Sequence, residues 1–171
     1  MPRHNLEFKA VDPDRARSLE ICRSLGAADH GVVWQRDTYF NAPVGRLKLR
    51  QESPGRPHLI HYERADEFRA RQSSYRIVPV QDASGACGLL ARALGIGTVV
   101  EKHRHLFLWR HLRIHLDDVR GLGRFIEIEA VLAPDADPSH DGPLLSELGK
   151  CFGITDDLLC ARGYSASIKE L

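Results

Sequence analysis

The sequence predicts an α+β fold in which a mostly antiparallel sheet carries helices on its outside. Many segments alternate polar and apolar residues with a period of two, as half-buried strands do. Three other segments have helical periodicity and end at a glycine. The chain has 171 residues, 43% of them apolar and 27% charged, and its Pro-Gly marks are too short to be interdomain linkers. We therefore expect a single domain over residues 1–171.

The predicted strands form a regular group and a less regular group. Alternation is strict at residues 5–9, 46–50, 113–117 and 125–129. Other strand-like stretches lie near residues 36–40, 58–64, 74–80 and 98–110. Together they predict about eight strands.

Three helices are predicted from the spacing of apolar residues and from the signals at their ends. The first runs from Asp12 to Leu25, opens on an Asp-Pro cap signal and stops at Gly26. The other two cover residues 84–94 and 143–152 and also end at glycines. These helices can pack against the apolar face of the sheet.

Each regular strand carries its charged residues on one face, because residues i, i+2 and i+4 of a strand point the same way. These faces hold Asn5, Glu7 and Lys9; Arg46, Lys48 and Arg50; Arg113, His115 and Asp117; and Glu127 and Glu129. One interpretation places these charges in water and the opposite, apolar face in a core. The other closes the sheet into a barrel, with helices over the apolar face and the charges inside.

The distribution of charge favours a barrel that contains a ligand. Basic residues lie on some strands and acidic residues on others, and an interior divided in this way is costly unless a ligand and a metal occupy it. Lys and Arg neutralise a polyphosphate with directed hydrogen bonds, and a hard cation such as Mg²⁺ or Mn²⁺ can bridge Glu carboxylates to phosphates. The pattern therefore fits a triphosphate-containing small molecule bound with a divalent metal.

An ordered series of motifs along almost the whole chain resembles the CYTH, or triphosphate tunnel metalloenzyme, superfamily. Glu7-Phe8-Lys9 resembles its E-x-E-x-K signature, and residues 116–129 resemble its D-x-V-x-G-L-G-x-F-x-E-x-E segment. The other matching segments, in chain order, are Gln35-Arg-Asp-Thr-Tyr-Phe40, Arg46-Leu-Lys-Leu-Arg50, Leu59-Ile-His-Tyr-Glu-Arg64 and Glu101-Lys-His-Arg104. The chain looks most like the class IV adenylate cyclase-like branch.

The resemblance implies an eight-stranded antiparallel tunnel with an ATP-like ligand inside. It implies that Mg²⁺ or Mn²⁺ is bound by Glu7, Glu127 and Glu129. The residues expected to hold the substrate's phosphates are Lys9, Lys48, Arg50, Arg64, Arg76, Lys102, Arg104 and Arg113. Asp117 is expected near the metal or the reacting group, and His115, on the same strand face, is a candidate for proton transfer.

Three departures from the family pattern bear on function. Asn5 stands where the signature has its first Glu, so one carboxylate is missing and a second metal site is in question. Arg64 lies near the position of a family Lys and would not behave as a lysine. The C-terminal segment Gly163-Tyr-Ser-Ala-Ser-Ile differs from the related Tyr-x-Asp-Leu, which would alter substrate choice if the tail closes a tunnel mouth.

The resemblance implies an enzyme, in first place a cyclase that converts ATP to cyclic AMP and pyrophosphate. A triphosphatase acting on tripolyphosphate, thiamine triphosphate or a nucleoside triphosphate would use the same residues. A non-catalytic module that binds an anionic phosphorylated metabolite is an alternative of another class, and an enzyme recruited to another anionic metabolite is a third.

Composition bears on partners and location. The net charge of +1 and the lack of a basic stripe argue against nucleic acid as a ligand. There is no apolar run of about 18 residues for a membrane span, and no secretory signal at the N-terminus. The four cysteines lack C-x-x-C spacing and are expected to be reduced. We expect a cytoplasmic protein, and the sequence leaves a homodimer open.

Overall fold

A closed antiparallel barrel of eight strands forms the body of the molecule. The computed structural model describes residues 3–64, 71–132, 141–160 and 163–168. Within these ranges the strands follow one another around the barrel as β1-β5-β4-β3-β2-β6-β7-β8. Their bounds are β1 Arg3–Val11, β2 Ala28–Phe40, β3 Arg46–Ser53, β4 His58–Arg64, β5 Arg71–Pro79, β6 Ile96–Trp109, β7 Leu112–Val119 and β8 Gly123–Leu132. The predicted strands are confirmed, and most are longer than predicted.

The helices lie outside the barrel or at one end of it. They are α1 Arg15–Ser24, α2 Ala83–Leu94, α3 Asp141–Cys151 and α4 Tyr164–Ile168, and a 3₁₀ turn covers Asp156–Leu158. The three predicted helices are confirmed, whereas the sequence pattern did not indicate α4. Gly95 ends α2 with a φ of 75°, which a glycine adopts without strain.

The predicted start of α1 at Asp12 is wrong. Asp14 caps the helix, because its carboxylate accepts the backbone N–H of Arg17 at 3.1 Å. Asp12 is buried instead and accepts hydrogen bonds from Arg15 at 2.6 Å and from Ser18 at 2.8 Å. Two Asp residues flank Pro13, and local sequence did not distinguish the cap from the carboxylate that binds the helix side chains.

The main hydrophobic core lies between the outer wall of the barrel and two helices. Strands β1, β7 and β8 turn their apolar residues outward, where α1 and α3 cover them. The fully buried members include Leu112, Ile114, Leu116, Ile126, Ile128 and Leu145. Because the apolar face is covered in this way, the barrel interior is left for the polar side chains of the same strands.

The interior charges are buried, which rules out a water-facing sheet for the strands that carry them. Lys9 is 5% exposed, Lys102 is 4% exposed and Asp117 is 0% exposed. Charges this deep are retained only when they are paired. Among the described helices, none is both long and apolar enough to cross a membrane.

Candidate functional site

The barrel interior, called the lumen below, is divided into three arcs of different chemistry. The cationic arc, on β3, β2 and β6, consists of Lys48, Arg50, Asp37, Lys102 and Arg104. The acidic arc, on β8 and β1, consists of Glu127, Glu129 and Glu7. The apolar arc, on β5 and β4, consists of Tyr75, Ile77, Ile60 and Tyr62. The arcs enclose a cavity of about 180 Å³.

Asp37 organises one half of the cationic arc. Its carboxylate accepts two hydrogen bonds from the Arg50 guanidinium, both at 2.7 Å, and one from Lys48 at 2.8 Å. Burial alone would raise the pKa of Asp37, but Arg50 and Lys48 outweigh it and hold that pKa well below its usual value. The ionised carboxylate therefore keeps both cations at set positions on the lumen wall.

Asp117 organises the other half in the same way. It accepts two hydrogen bonds from Arg104, both at 2.7 Å, and one from Lys102 at 3.1 Å. Arg104 and Lys102 outweigh the effect of burial and lower the pKa of Asp117. In both halves, one buried carboxylate binds a Lys and an Arg that are two positions apart on the neighbouring strand.

The C-terminal helix closes one end of the lumen with Tyr164. The Tyr164 hydroxyl donates to Asp117 Oδ2 at 2.8 Å, and Lys9 Nζ lies 3.6 Å from the centroid of the Tyr164 ring. Burial and the nearby Asp117 raise the pKa of Tyr164 well above its usual value, so the hydroxyl stays protonated. Val100 and Val119, each 1% exposed, pack beside Tyr164. The end of the lumen near α4 is therefore densely packed.

The acidic arc brings three carboxylates together. Glu7, Glu127 and Glu129 each offer an oxygen, and these oxygens lie within 4.8 Å of one another. Ligand oxygens of one Mg²⁺ or Mn²⁺ are at most about 4–5 Å apart, since each metal–oxygen bond is a little over 2 Å. Carboxylate oxygens are also the donors that these hard cations prefer. The three residues therefore fit a divalent ion of this kind.

Neighbouring side chains hold the carboxylate cluster in place. Lys9 Nζ lies 2.9 Å from Glu127 Oε2, and Arg113 Nη1 donates to Glu129 Oε1 at 3.3 Å. His115 on β7 is buried beside β8, with Nδ1 donating to Glu127 at 3.1 Å and Nε2 at 3.7 Å from Glu129. Burial would raise the pKa of Glu127, but Lys9, Arg104 and the His115 hydrogen bond lower it.

The structure brings most of the predicted site residues into one lumen. Its lining includes Glu7, Lys9, Lys48, Arg50, Lys102, Arg104, Arg113, Glu127 and Glu129. Asp117 and His115 are not part of this lining. The Asp117 carboxylate accepts hydrogen bonds from Lys102, Arg104 and Tyr164, and His115 contacts the carboxylates. The catalytic roles expected for Asp117 and His115 stay predictions.

Two predicted phosphate-binding arginines, Arg64 and Arg76, are not among the described side chains that line the lumen. Arg76 is exposed and lies between Tyr75 and Ile77, which line the lumen, so strand alternation turns it to the outer wall. Arg76 therefore does not line the lumen, although it lines the adjoining cleft described below. The side chain of Arg64 lies outside the described residues, so its predicted role stays a prediction, and its backbone pairs with Ser73 in the barrel.

The sequence interpretation missed Asp37 and Tyr164 as site residues. Asp37 had a usable signal, because it alternates with Gln35 and Tyr39 on one face of β2. For Tyr164 the sequence contained no signal beyond the departure of its C-terminal segment from the family pattern. The position of Tyr164 depends on where the chain after β8 returns to the barrel.

A second cavity adjoins the lumen at the end opposite Tyr164. This mouth cleft measures about 840 Å³ and is lined by Arg50, Glu52, His58, Ile60, Tyr75, Arg76, Ile77, Val78 and Pro79. Side chains become more exposed toward this end, with Ile77 42% exposed. Arg50, Ile60, Tyr75 and Ile77 border both cavities, so the cleft is continuous with the cationic and apolar arcs.

The closed antiparallel barrel, with paired cations and carboxylates in its lumen, has the architecture of the tunnel that the sequence resemblance implied. A comparison with family models agrees with this architecture. A model of the CYTH domain matches residues 3–164, so the chain belongs to the CYTH domain family. No curated protein matches the sequence.

Solved structures share the fold at low sequence identity. The PH1012 protein from Pyrococcus horikoshii has a TM-score of 0.84 and 22% identity, over 95% of this chain and 98% of that one. A "putative adenylate cyclase" from Vibrio parahaemolyticus has a TM-score of 0.80 and 16% identity, over 98% of each chain. The Pct1 RNA triphosphatase of Schizosaccharomyces pombe has a TM-score of 0.50 and 13% identity, over 95% of this chain and 87% of that one. At these identities the likeness establishes the fold.

The triphosphate binding that the family resemblance implies should depend on the protonation of Lys102. Burial and the nearby Arg104 lower the pKa of Lys102 to about 7. Above that pH the amine of the ligand-free protein is mostly neutral, so it must take up a proton when a phosphate binds. We expect the affinity for tripolyphosphate to fall with rising pH above about 7, approaching tenfold per pH unit. In Lys102→Arg this part of the pH dependence should vanish, since arginine stays charged. Calorimetry across pH in two buffers measures it, and identical pH slopes in the two proteins would contradict it.

Removing the Asp37 carboxylate should destabilise the ligand-free protein through its two unpaired cations. We expect Asp37→Asn to lower the free energy of unfolding by about 3–5 kcal/mol, the usual result of breaking a buried ion pair. Tripolyphosphate should then raise the melting temperature more in Asp37→Asn than in the wild type, because the ligand supplies the missing negative charge. Asp118→Asn is the control, because the Asp118 side chain is 60% exposed. Equal shifts in all three proteins would count against this role of Asp37.

Proposed function

We propose that this protein is a divalent-metal-dependent enzyme that acts on the triphosphate group of a nucleotide, converting ATP to cyclic AMP and pyrophosphate. One observation carries the proposal. The cationic arc and the acidic arc line one lumen, with β7 between them on one side and the apolar arc on the other, and they meet where Arg104 donates to Glu127 at 3.2 Å. A triphosphate lying between them would meet Lys and Arg donors on one wall and metal-binding carboxylates on the other.

The lumen residues have distinct roles in this proposal. Phosphate oxygens are bound by Lys9, Lys48, Arg50, Lys102, Arg104 and Arg113. Glu7, Glu127 and Glu129 would hold Mg²⁺ or Mn²⁺, and the bound ion would neutralise phosphate charge and stabilise the leaving pyrophosphate. Asp37 and Asp117 fix the directions of the cations, and His115 fixes two of the carboxylates. Such preorganised charge is a large part of catalysis in phosphoryl transfer.

The mouth cleft supports a nucleotide as substrate over an inorganic polyphosphate. A triphosphate alone would need only the charged lumen. The cleft adds a continuous space bordered by Tyr75, Ile60 and Ile77, and apolar and aromatic walls of this kind hold the organic part of a ligand. With Tyr164 filling the other end, the nucleoside would occupy the cleft while its phosphates extend past Arg50 into the lumen.

The same site could direct water instead of the ribose 3′-hydroxyl at a phosphorus atom, which would make the protein a triphosphatase. The fold is shared with a protein named as an RNA triphosphatase. The deciding experiment incubates purified protein with ATP, thiamine triphosphate or tripolyphosphate in Mg²⁺ or Mn²⁺ and resolves the products. Cyclic AMP with pyrophosphate supports the proposal. Inorganic phosphate identifies a hydrolase, and thermal stabilisation without turnover identifies a binding module.

Turnover should depend on Glu129. Loss of groups that merely support metal ligands costs about 10–100-fold, so loss of a ligand carboxylate in Glu129→Gln should cost at least about 100-fold in kcat/KM. The fold should persist, because the amide keeps the size of the side chain. Glu20→Gln, on the exposed side of α1, is the matched control and should leave turnover unchanged. Full activity in Glu129→Gln would remove the metal assignment, and circular dichroism would check the fold.

A further inference from the structure

Glu7 and Glu129 face each other directly across the pairing of β1 with β8. Two carboxylates in this position repel each other, and like charges directly opposite in a sheet are destabilising. Glu127, the third member of the cluster, is opposite Lys9 and pairs with it. A donor group shared by Glu7 and Glu129 would lower this repulsion.

Asn5 provides that group. Its side-chain amide Nδ2 donates one hydrogen bond to Glu7 Oε2 at 3.0 Å and another to Glu129 Oε2 at 2.7 Å. Both amide protons are thus used, and each carboxylate commits one oxygen to the amide. Asn5 is 5% exposed and lines the lumen, so these bonds form in a setting where hydrogen bonds to charged groups are strong.

The other end of the Asn5 amide is also informative. Asn5 Oδ1 is buried and has no hydrogen-bond partner among the described residues. A buried acceptor without a partner is costly, and in native proteins it usually has a reason. Divalent ions such as Mg²⁺ keep several water ligands when bound by few carboxylates. An ion held by the cluster would bring a donor to this oxygen.

We infer that Asn5 limits the carboxylate cluster to one divalent ion and prepares its geometry before the ion arrives. The inference rests on the metal site of the proposed function. On the Asn5 side, the oxygens of Glu7 and Glu129 that could share a second ion already accept the amide protons. The cluster also has only three carboxylates, and Lys9 and Arg113 offset part of their charge. A second divalent ion would therefore meet a site with too few free oxygens and too little negative charge.

The test counts Mn²⁺ ions bound per chain, by calorimetry and by electron paramagnetic resonance, with Mn²⁺ as the only ligand. The wild type should bind one ion. Asn5→Asp removes the amide donor and adds a carboxylate of the same size, so it should bind two. Asn5→Leu removes the donor without adding charge, so it should still bind one ion but about 10–100-fold more weakly, as when supporting groups of metal ligands are removed. Asn41→Asp, the same exchange at an exposed position, should match the wild type.

The outcomes separate this inference from the proposed function. Two ions on the wild type, or one ion on Asn5→Asp, would overturn the role given to Asn5 and leave the enzyme proposal standing. Unchanged Mn²⁺ affinity in Asn5→Leu would show that Asn5 does not arrange the carboxylates before the ion binds. A wild type that binds no Mn²⁺ would remove the metal site, and the proposed function and this inference would both fall.

Discussion

The pairing of opposite charges inside a closed barrel is the constraint on which this structure depends. An isolated charge in such an interior would cost several kcal/mol or lose its ionisation. Asp37 and Asp117 prevent this, each by binding a Lys and an Arg from the adjacent strand. The same contacts that make burial tolerable also fix the directions of the cations. In the proposed function, stability and anion recognition therefore rest on one set of hydrogen bonds.

The polar interior is feasible because the hydrophobic core lies elsewhere. In β1, β7 and β8 the large apolar residues face outward and pack under α1 and α3. This arrangement reverses that of a barrel filled with apolar side chains, in which the interior itself is the core. Lumen residues are consequently free to meet the demands of a ligand, while outer-wall residues supply the burial of apolar surface that drives folding.

The two ends of the lumen differ, and this asymmetry comes from the C-terminal segment. Tyr164 joins a polar contact to Asp117 with an aromatic contact to Lys9, so it suits both the charge and the shape of the end that it fills. The opposite end opens onto the mouth cleft beside Arg50. A ligand with a charged chain and an organic group therefore has one orientation that places each part against matching chemistry.

The sequence by itself determined which side chains share a strand face, because alternation is local stereochemistry and needs no partner strand. Glu7 with Lys9, Lys48 with Arg50, and Lys102 with Arg104 could be grouped in this way, whereas the closed eight-stranded barrel was expected from the family resemblance. The alternation near residues 74–80 was too weak to show that Arg76 faces outward, and two nearby Asp residues obscured the start of α1. Only the tertiary structure decided which charges meet, since the order and register of strands around the barrel are set by closure of the whole sheet. Tyr164 reaches Asp117 from 47 positions away, and no local pattern encodes such a contact.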